Sequence, residues 1–304
     1  MNYGKKATMQ LLRKYDNKSS KVKNKFKLIV LKILLVVVIV AGAAGISSGI
    51  GVMKGIIDSA PDISKIDVTP TGYSTTVLAA NGEETATLVG QGANRQYVTI
   101  DEIPLDLQHA FVAIEDERFY DHNGIDLHGI GRAFISGLSK GRFSEGASTI
   151  TQQVAKNVFL TQEVTWDRKI KEIFLAWGLE KKYSKEQILE FYLNNIYFSN
   201  GYYGVEAAAK GYFGKSAAEL SVSEQAFIAA IPNNPTKYNP LTNYDATLTR
   251  RNLILKELYN ADYIDSMTYN TALDEEITVS GSGEKVSTKN NSVETYARHC
   301  ATEE

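Results

Sequence analysis

Between Ile33 and Met53 the chain runs through ILLVVVIVAGAAGISSGIGVM, twenty-one residues without a charge. At about 1.5 Å per residue a helix of that length is about 31 Å long, enough to cross a hydrocarbon core of roughly 30 Å. A buried core helix rarely combines an apolar surface all the way round with ten bases beside it, and the run is longer than the apolar region of most cleaved signal peptides, so the sequence predicts an uncleaved signal anchor. Ten Lys or Arg and a single acid, Asp16, occupy residues 1–32. The positive-inside rule then places that basic head in the cytoplasm and everything after Lys54 outside. Of 33 bases and 35 acids in all, the rest of the chain holds 23 bases against 34 acids, and this acidic body argues against a nucleic-acid partner. One cysteine, Cys300, cannot form an internal disulfide, so it says nothing about redox compartment.

Beyond the anchor, residues 54–103 read as a stalk with a small β element. STTVLAANGEETATLVG (74–90) alternates around Asn81-Gly82, a strong hairpin signal, and RQYVTI (95–100) reads as a third strand. From Pro104 the pattern turns helical. Leu107, Ala110, Phe111 and Ile114 recur at helical spacing, predicting a helix over about 104–117 with Glu115 at the edge of its apolar face. Ser184 with Gln187, and Ser221 with Glu224, are capping-box patterns that start two more helices, the second stopped by Pro232. Ile170, Ile173, Phe174 and Trp177 predict the buried face of another, and Leu248, Leu255 and Leu258 point inward from a helix over roughly 245–260. SGSGEKVSTKNNS, from about Ser280, reads as a linker.

Three clusters carry chemistry. In AIEDERFYDHNGID (113–126) a carboxylate beside an apolar helix face would be partly desolvated, which suits proton transfer, and Glu115 fits better than Asp116 because it shares the face of Phe111. Asn123-Gly124 closes the following turn. EGASTITQQVAKN (145–157) offers three hydroxyls, the amides of Gln152 and Gln153, and Lys156, a set able to meet a sugar and a phosphate. Arg168, Lys169 and Glu172 stand on a helix otherwise built for apolar packing. Each cluster by itself also fits a blander role: a solvated helix end, a polar helix cap, and a surface i, i+4 ion pair.

Taken in order, they resemble a known family. EDERFYDHNG (115–124), GASTITQQ (146–153), RKIKE (168–172), KEQILEFYLNNIYFSNGYYGVEAAAKGYFGK (185–215) and SEQAFIAAIPNNPTKYNP (223–240) are similar to the motifs of the peptidoglycan glycosyltransferase domain of class A penicillin-binding proteins and monofunctional transglycosylases. The resemblance implies a mainly α, lysozyme-like, two-lobed glycosyltransferase domain at 104–279, after a basic tail (1–32), a transmembrane anchor (33–53) and a β-containing stalk (54–103), and before a linker-like tail (280–304). It implies polymerisation of lipid II into β-1,4 glycan strands, with inversion and release of undecaprenyl diphosphate, at the outer or periplasmic face of the cell membrane. Glu115 matches the catalytic base and Glu172 the second essential Glu. Lys156, Arg168 and Lys169 match positions that meet the diphosphate. Asp116, Ser148, Thr149, Gln152 and Gln153 match substrate-contacting positions.

The same resemblance allows a divalent cation, Mg or Mn, on the substrate diphosphate, although no ligand cluster is visible in the sequence. It implies as partners the growing glycan strand, membrane lipids, transpeptidases and other wall-synthesis proteins. Two departures stand out. Val164 sits where family members often carry a base, which puts one diphosphate contact in doubt. Ser20 to Lys23 forms an S-x-x-K, but in the basic head; no K-T-G or K-S-G occurs, and transpeptidation is not expected of this chain. A truncated or split class A protein and a monofunctional enzyme both remain open. A lysozyme-like hydrolase and a non-catalytic wall-assembly scaffold are the competing functions.

Overall fold

The computed structural model describes residues 4–16, 18–61, 75–78, 84–88, 94–140, 148–160 and 165–280. The chain divides into two compact units, residues 1–59 and 60–304.

The first unit holds α1 (Lys5–Asp16) and α2 (Lys18–Asp58). Among the described residues, α2 is the one helix long and apolar enough to cross a membrane by length and composition, and none of its most apolar stretch is buried. The predicted span 33–53 falls within it.

The second unit runs β1 (Thr75–Leu78), β2 (Glu84–Leu88), β3 (Asn94–Arg95), α3 (Leu105–Glu115), α4 (Leu127–Lys140), α5 (Ile150–Phe159), α6 (Trp166–Lys182), α7 (Lys185–Asn195), β4 (Tyr202–Tyr203), α8 (Val205–Phe213), α9 (Val222–Ala229), α10 (Tyr244–Asn260) and α11 (Ser266–Asp274). It is mainly helical, as the sequence predicts. β1 and β2 pair antiparallel, Thr75 opposite Leu88, while the Asn81-Gly82 turn, Val164 and the tail from 281 lie outside the described residues.

The expected third strand is different. Only Asn94–Arg95 is strand, and it pairs in parallel with Tyr202–Tyr203 rather than extending the hairpin. Ile100–Glu102 is a short 3-10 turn. The cause is α7, whose polar side chains capture this backbone: Val98 N–H donates to Asn194 Oδ1 (3.0 Å), Ile100 N–H to Glu190 Oε2 (2.7 Å), and Asn194 Nδ2 to the Val98 carbonyl (2.8 Å). Backbone groups satisfied in this way need no ladder partner.

The core is built round helices that are apolar on more than one side. Both predicted capping boxes form, Ser184 with Gln187 and Ser221 with Glu224. The helices they start, α7 and α9, are buried over almost their whole length beyond the first turn. α3 packs on α9 and α10, and α5 on α6 and α7. Phe111 ties the two groups together through edge contacts with Tyr192 (5.8 Å between centroids) and Phe198 (6.0 Å). Truncating so buried a ring costs about 3–5 kcal/mol.

On α6 the expected inner face is wrong. Glu172, Leu175, Ala176 and Leu179 are buried, Ile170, Ile173 and Phe174 are half-buried, and Trp177 is 47% exposed. The helix therefore turns a carboxylate inward, and that choice positions the site.

Candidate functional site

α3 ends at Glu115 because Asp116 leaves helical geometry (φ −159°, ψ 70°) and folds back as a clamp. Its carboxylate accepts from the Ile150 N–H at the start of α5 (2.9 Å) and lies 3.0 Å from His122 Nε2. His122 Nδ1 accepts from the Gly124 N–H (3.2 Å), so the ring proton belongs on Nε2, donated to Asp116. A neutral imidazole suffices. A carboxylate against the first N–H groups of a helix also meets the positive end of its dipole.

Gly124 closes the turn at φ +84°, where a Cβ would lie 2.9 Å from the Ala176 carbonyl oxygen. Its own carbonyl accepts from Thr149 Oγ1 (2.7 Å). Thr149 is at the same time the N-cap of α5, accepting from Gln152 N–H, while Gln152 Oε1 accepts from Thr149 N–H. Thr149 (2% exposed) and Gln152 (1%) are thus engaged in holding the turn. Within that segment, Ser148 and Thr149 line the cleft, and Gln153 is engaged by Glu115.

Gln153 reaches Glu115. Its Nε2 donates to Glu115 Oε2 (2.9 Å), while Oε1 is buried with no hydrogen-bond partner among the described residues. Ser148 Oγ accepts from Lys169 Nζ (2.8 Å), and Lys169 also bonds the buried Glu172. The carboxylate on the inner face of α6 therefore fixes an ammonium beside the start of α5. Lys156, in the last turn of α5, is half-buried without a partner among the described residues. Arg168 lies in the first turn of α6, its N–H bonded to the N-cap Thr165.

Glu115, Asp116, Ser148 and Thr149 line a cleft of about 560 Å³ together with Asn233, Lys237, Tyr238 and Arg250. Gln152, Gln153, Lys156, Arg168, Lys169 and Glu172 do not contribute to this lining. Beneath it lies Tyr192, whose phenol is pushed well up by burial and then by the Glu115 and Asp116 charges, so it stays protonated. Lys237 and Arg250 flank the Tyr238 ring at 4.8 and 5.1 Å. Hydrogen bonding from Lys237, more than the charge of Arg250, draws the Tyr238 phenol down.

The remaining acids of 113–126 divide. Glu117 pairs with Arg132 (3.2 Å) and both are more than half exposed, which fits a solvated helix end. Asp126 does not: burial would raise its carboxyl, but the Gly129 N–H and the bonded Arg118 more than reverse that. Among the described residues no group of three or more His, Cys, Asp or Glu is arranged to hold a metal.

Sequence reasoning missed the wall formed by Asn233, Lys237, Tyr238 and Arg250. The first three lie inside a segment already matched to the family, but nothing in the sequence separated them from its packing residues. Arg250 precedes Arg251, a buried residue that bonds Ser223 and the Ala272 carbonyl, and only the fold separates their roles.

The Transglycosylase family model matches residues 81–259. Penicillin-binding protein 1F of Bacillus subtilis is 45% identical over 66% of this chain and 28% of its own length. Penicillin-binding protein 1A of Aquifex aeolicus is 50% identical over 61% and 26%. The crystal structure of penicillin-binding protein 1A from Haemophilus influenzae aligns with 70% of this chain and 22% of that one, at 26% identity and a TM-score of 0.41. The chain spans about a quarter of the length of the curated relatives it matches.

Proposed function

The chain belongs to the transglycosylase family, and from that membership we propose that it is a peptidoglycan glycosyltransferase, anchored in the membrane by residues 33–53, that polymerises lipid II into β-1,4 glycan with release of undecaprenyl diphosphate. The observation that carries the reading is Glu115, a residue lining the cleft: one oxygen accepts from Gln153, and the other is buried without a hydrogen bond among the described residues, 3.9 Å from Arg250 Nη2. A base so placed takes the proton of the acceptor 4-hydroxyl as that oxygen attacks the donor anomeric carbon from the face opposite the diphosphate. The bond from that carbon to the diphosphate oxygen breaks, and the diphosphate leaves with the electron pair. Its charge is met by Lys169, which Glu172 and Ser148 hold in place, and by Lys156 and Arg168. A polyprenyl diphosphate is already a competent leaving group once its charge is met, so one base, positioning and fixed cations supply what the step needs.

Residues 1–32 lie on the cytoplasmic side in this proposal and the catalytic domain, 104–279, outside, with 54–103 as stalk and 280–304 as linker. Lipid II, the growing strand, membrane lipids and other wall-synthesis proteins are the expected partners. Incubation of the protein with labelled lipid II tests the enzyme reading: the wild type makes long strands, and Glu115→Gln loses about 10²- to 10⁴-fold in turnover while remaining folded. Unimpaired turnover by Glu115→Gln would refute the base. Shortening of added glycan by the wild type would point to a hydrolase, and wild-type protein that binds but never polymerises would point to a scaffold.

A further inference from the structure

We propose that Arg250 completes the acceptor side of this cleft, its guanidinium donating to the oxygen of the attacking hydroxyl while Glu115 Oε1 takes that hydroxyl's proton. The inference rests on the function proposed above and adds a residue to it. Two buried polar atoms meet here without hydrogen bonds among the described residues, Glu115 Oε1 and Arg250 Nε. Arg250 Nη2 stands 3.9 Å from that oxygen, with the two side chains 13% and 11% exposed. At 3.9 Å the pair is too far apart to be a hydrogen bond, yet an oxygen can sit at about 2.8 Å from both atoms. An ionised carboxylate only accepts and a guanidinium only donates. The group that satisfies both at once both donates and accepts, and a sugar hydroxyl does so.

Charge and placement assign Arg250 to the acceptor. It never gives up its proton near neutral pH, so it cannot compete with Glu115 as base. As the hydroxyl proton passes to Glu115 and the oxygen bonds to the anomeric carbon, a fixed cation at that oxygen favours the partial negative charge that develops there. The guanidinium is held over Tyr238, 5.1 Å from the ring centroid. It stands on α10, which packs against α3, the helix that ends in Glu115, whereas Lys156, Arg168 and Lys169 stand on α5 and α6. The cations thus divide between the two substrates.

The test uses the full chain with a preformed lipid-linked oligosaccharide as donor and labelled lipid II as acceptor, so that kcat and each KM are read separately. Arg250→Gln should lower kcat/KM for the acceptor roughly ten- to hundred-fold, as loss of a charge-assisted hydrogen bond does, and leave the donor KM within about twofold. Arg250→Lys keeps the cation, loses the fork and should fall between the two; it also serves if the Gln variant folds poorly. Acceptor kinetics within twofold of wild type in both variants would overturn the proposal. So would an equal loss for donor and acceptor accompanied by a lowered melting temperature, the mark of a merely structural residue. Wild-type protein that forms no strands would instead remove the enzyme reading itself, an outcome that needs no Arg250 variant to recognise.

Discussion

Around Asp116 the polar groups are paired inside the protein: both its oxygens, both ring nitrogens of His122 and the hydroxyl of Thr149 all have partners. One residue earlier, at Glu115, which lines the cleft, a buried oxygen has no hydrogen bond among the described residues and only Arg250 at ion-pair distance, 3.9 Å. The two carboxylates are neighbours in the chain and differ in almost every contact. A fully partnered network in a low-dielectric interior is rigid and resists change, whereas an unpaired buried oxygen persists only where the surrounding structure holds it. The motif at 115–124 therefore combines a fixed frame with one group left open to chemistry.

That contrast can be broken in several ways. The largest effect is expected at Glu172, which holds Lys169 beside Ser148 at the start of α5. Glu172→Gln should cut polymerisation of lipid II about a hundredfold by releasing the ammonium it holds, and near-normal turnover would show that Lys169 needs no such support. At Asp116 the effect should move from activity to stability. Asp116→Asn keeps one accepting oxygen and puts a donor-only NH2 in place of the other, against either the Ile150 N–H or the His122 Nε2–H, and unfolding in denaturant should show a loss of about 1–3 kcal/mol. If instead Asp116→Asn keeps full stability and Glu115→Gln unfolds the domain, the assignment of frame and open group is reversed.

The smallest effect is a pH dependence remote from both. His109 stacks on Tyr263 at 3.9 Å between ring centroids, and burial lowers its pKa despite the opposing pull of Asp106. The folded state prefers the neutral ring, so the unfolded chain binds more protons once the pH falls below about 6.5. This contribution is complete above that pH and is lost as pH falls through the lowered folded value. Melting temperatures between pH 7.5 and 5 should fall less steeply for His109→Phe than for the wild type, and parallel curves would remove His109 from the account.

Much of the frame was legible because it rests on local chemistry. A Ser followed three residues later by Gln or Glu gave the starts of α7 and α9, and helical spacing gave α3 to within two residues at its C-terminal end. Long-range satisfaction of polar groups was not legible. RQYVTI alternates like a strand, but side chains of α7 take its backbone bonds. On α6, hydrophobicity alone placed Trp177 inside and Glu172 out, whereas pairing with Lys169 lets the carboxylate sit 3% exposed. Helical spacing put Glu115 on the face of Phe111 and so preferred it to Asp116, but the contacts that set the two apart, with Gln153, His122 and Ile150, are long-range. Arg250 depends on α10 folding back against α3, and no short-range pattern records that.

α2 carries a mechanical consequence. Its uncharged run is bracketed by Lys32 and Lys54 and would be about 31 Å long, close to the roughly 30 Å of a bilayer interior. Such a match leaves little slack for tilting. In a thicker membrane the lysines would have to extend along their stems to keep their ammonium groups in water, and in a thinner one the rod would have to lean. If α2 spans a membrane as proposed, bilayer thickness is a variable to which it would respond by its angle rather than by its fold.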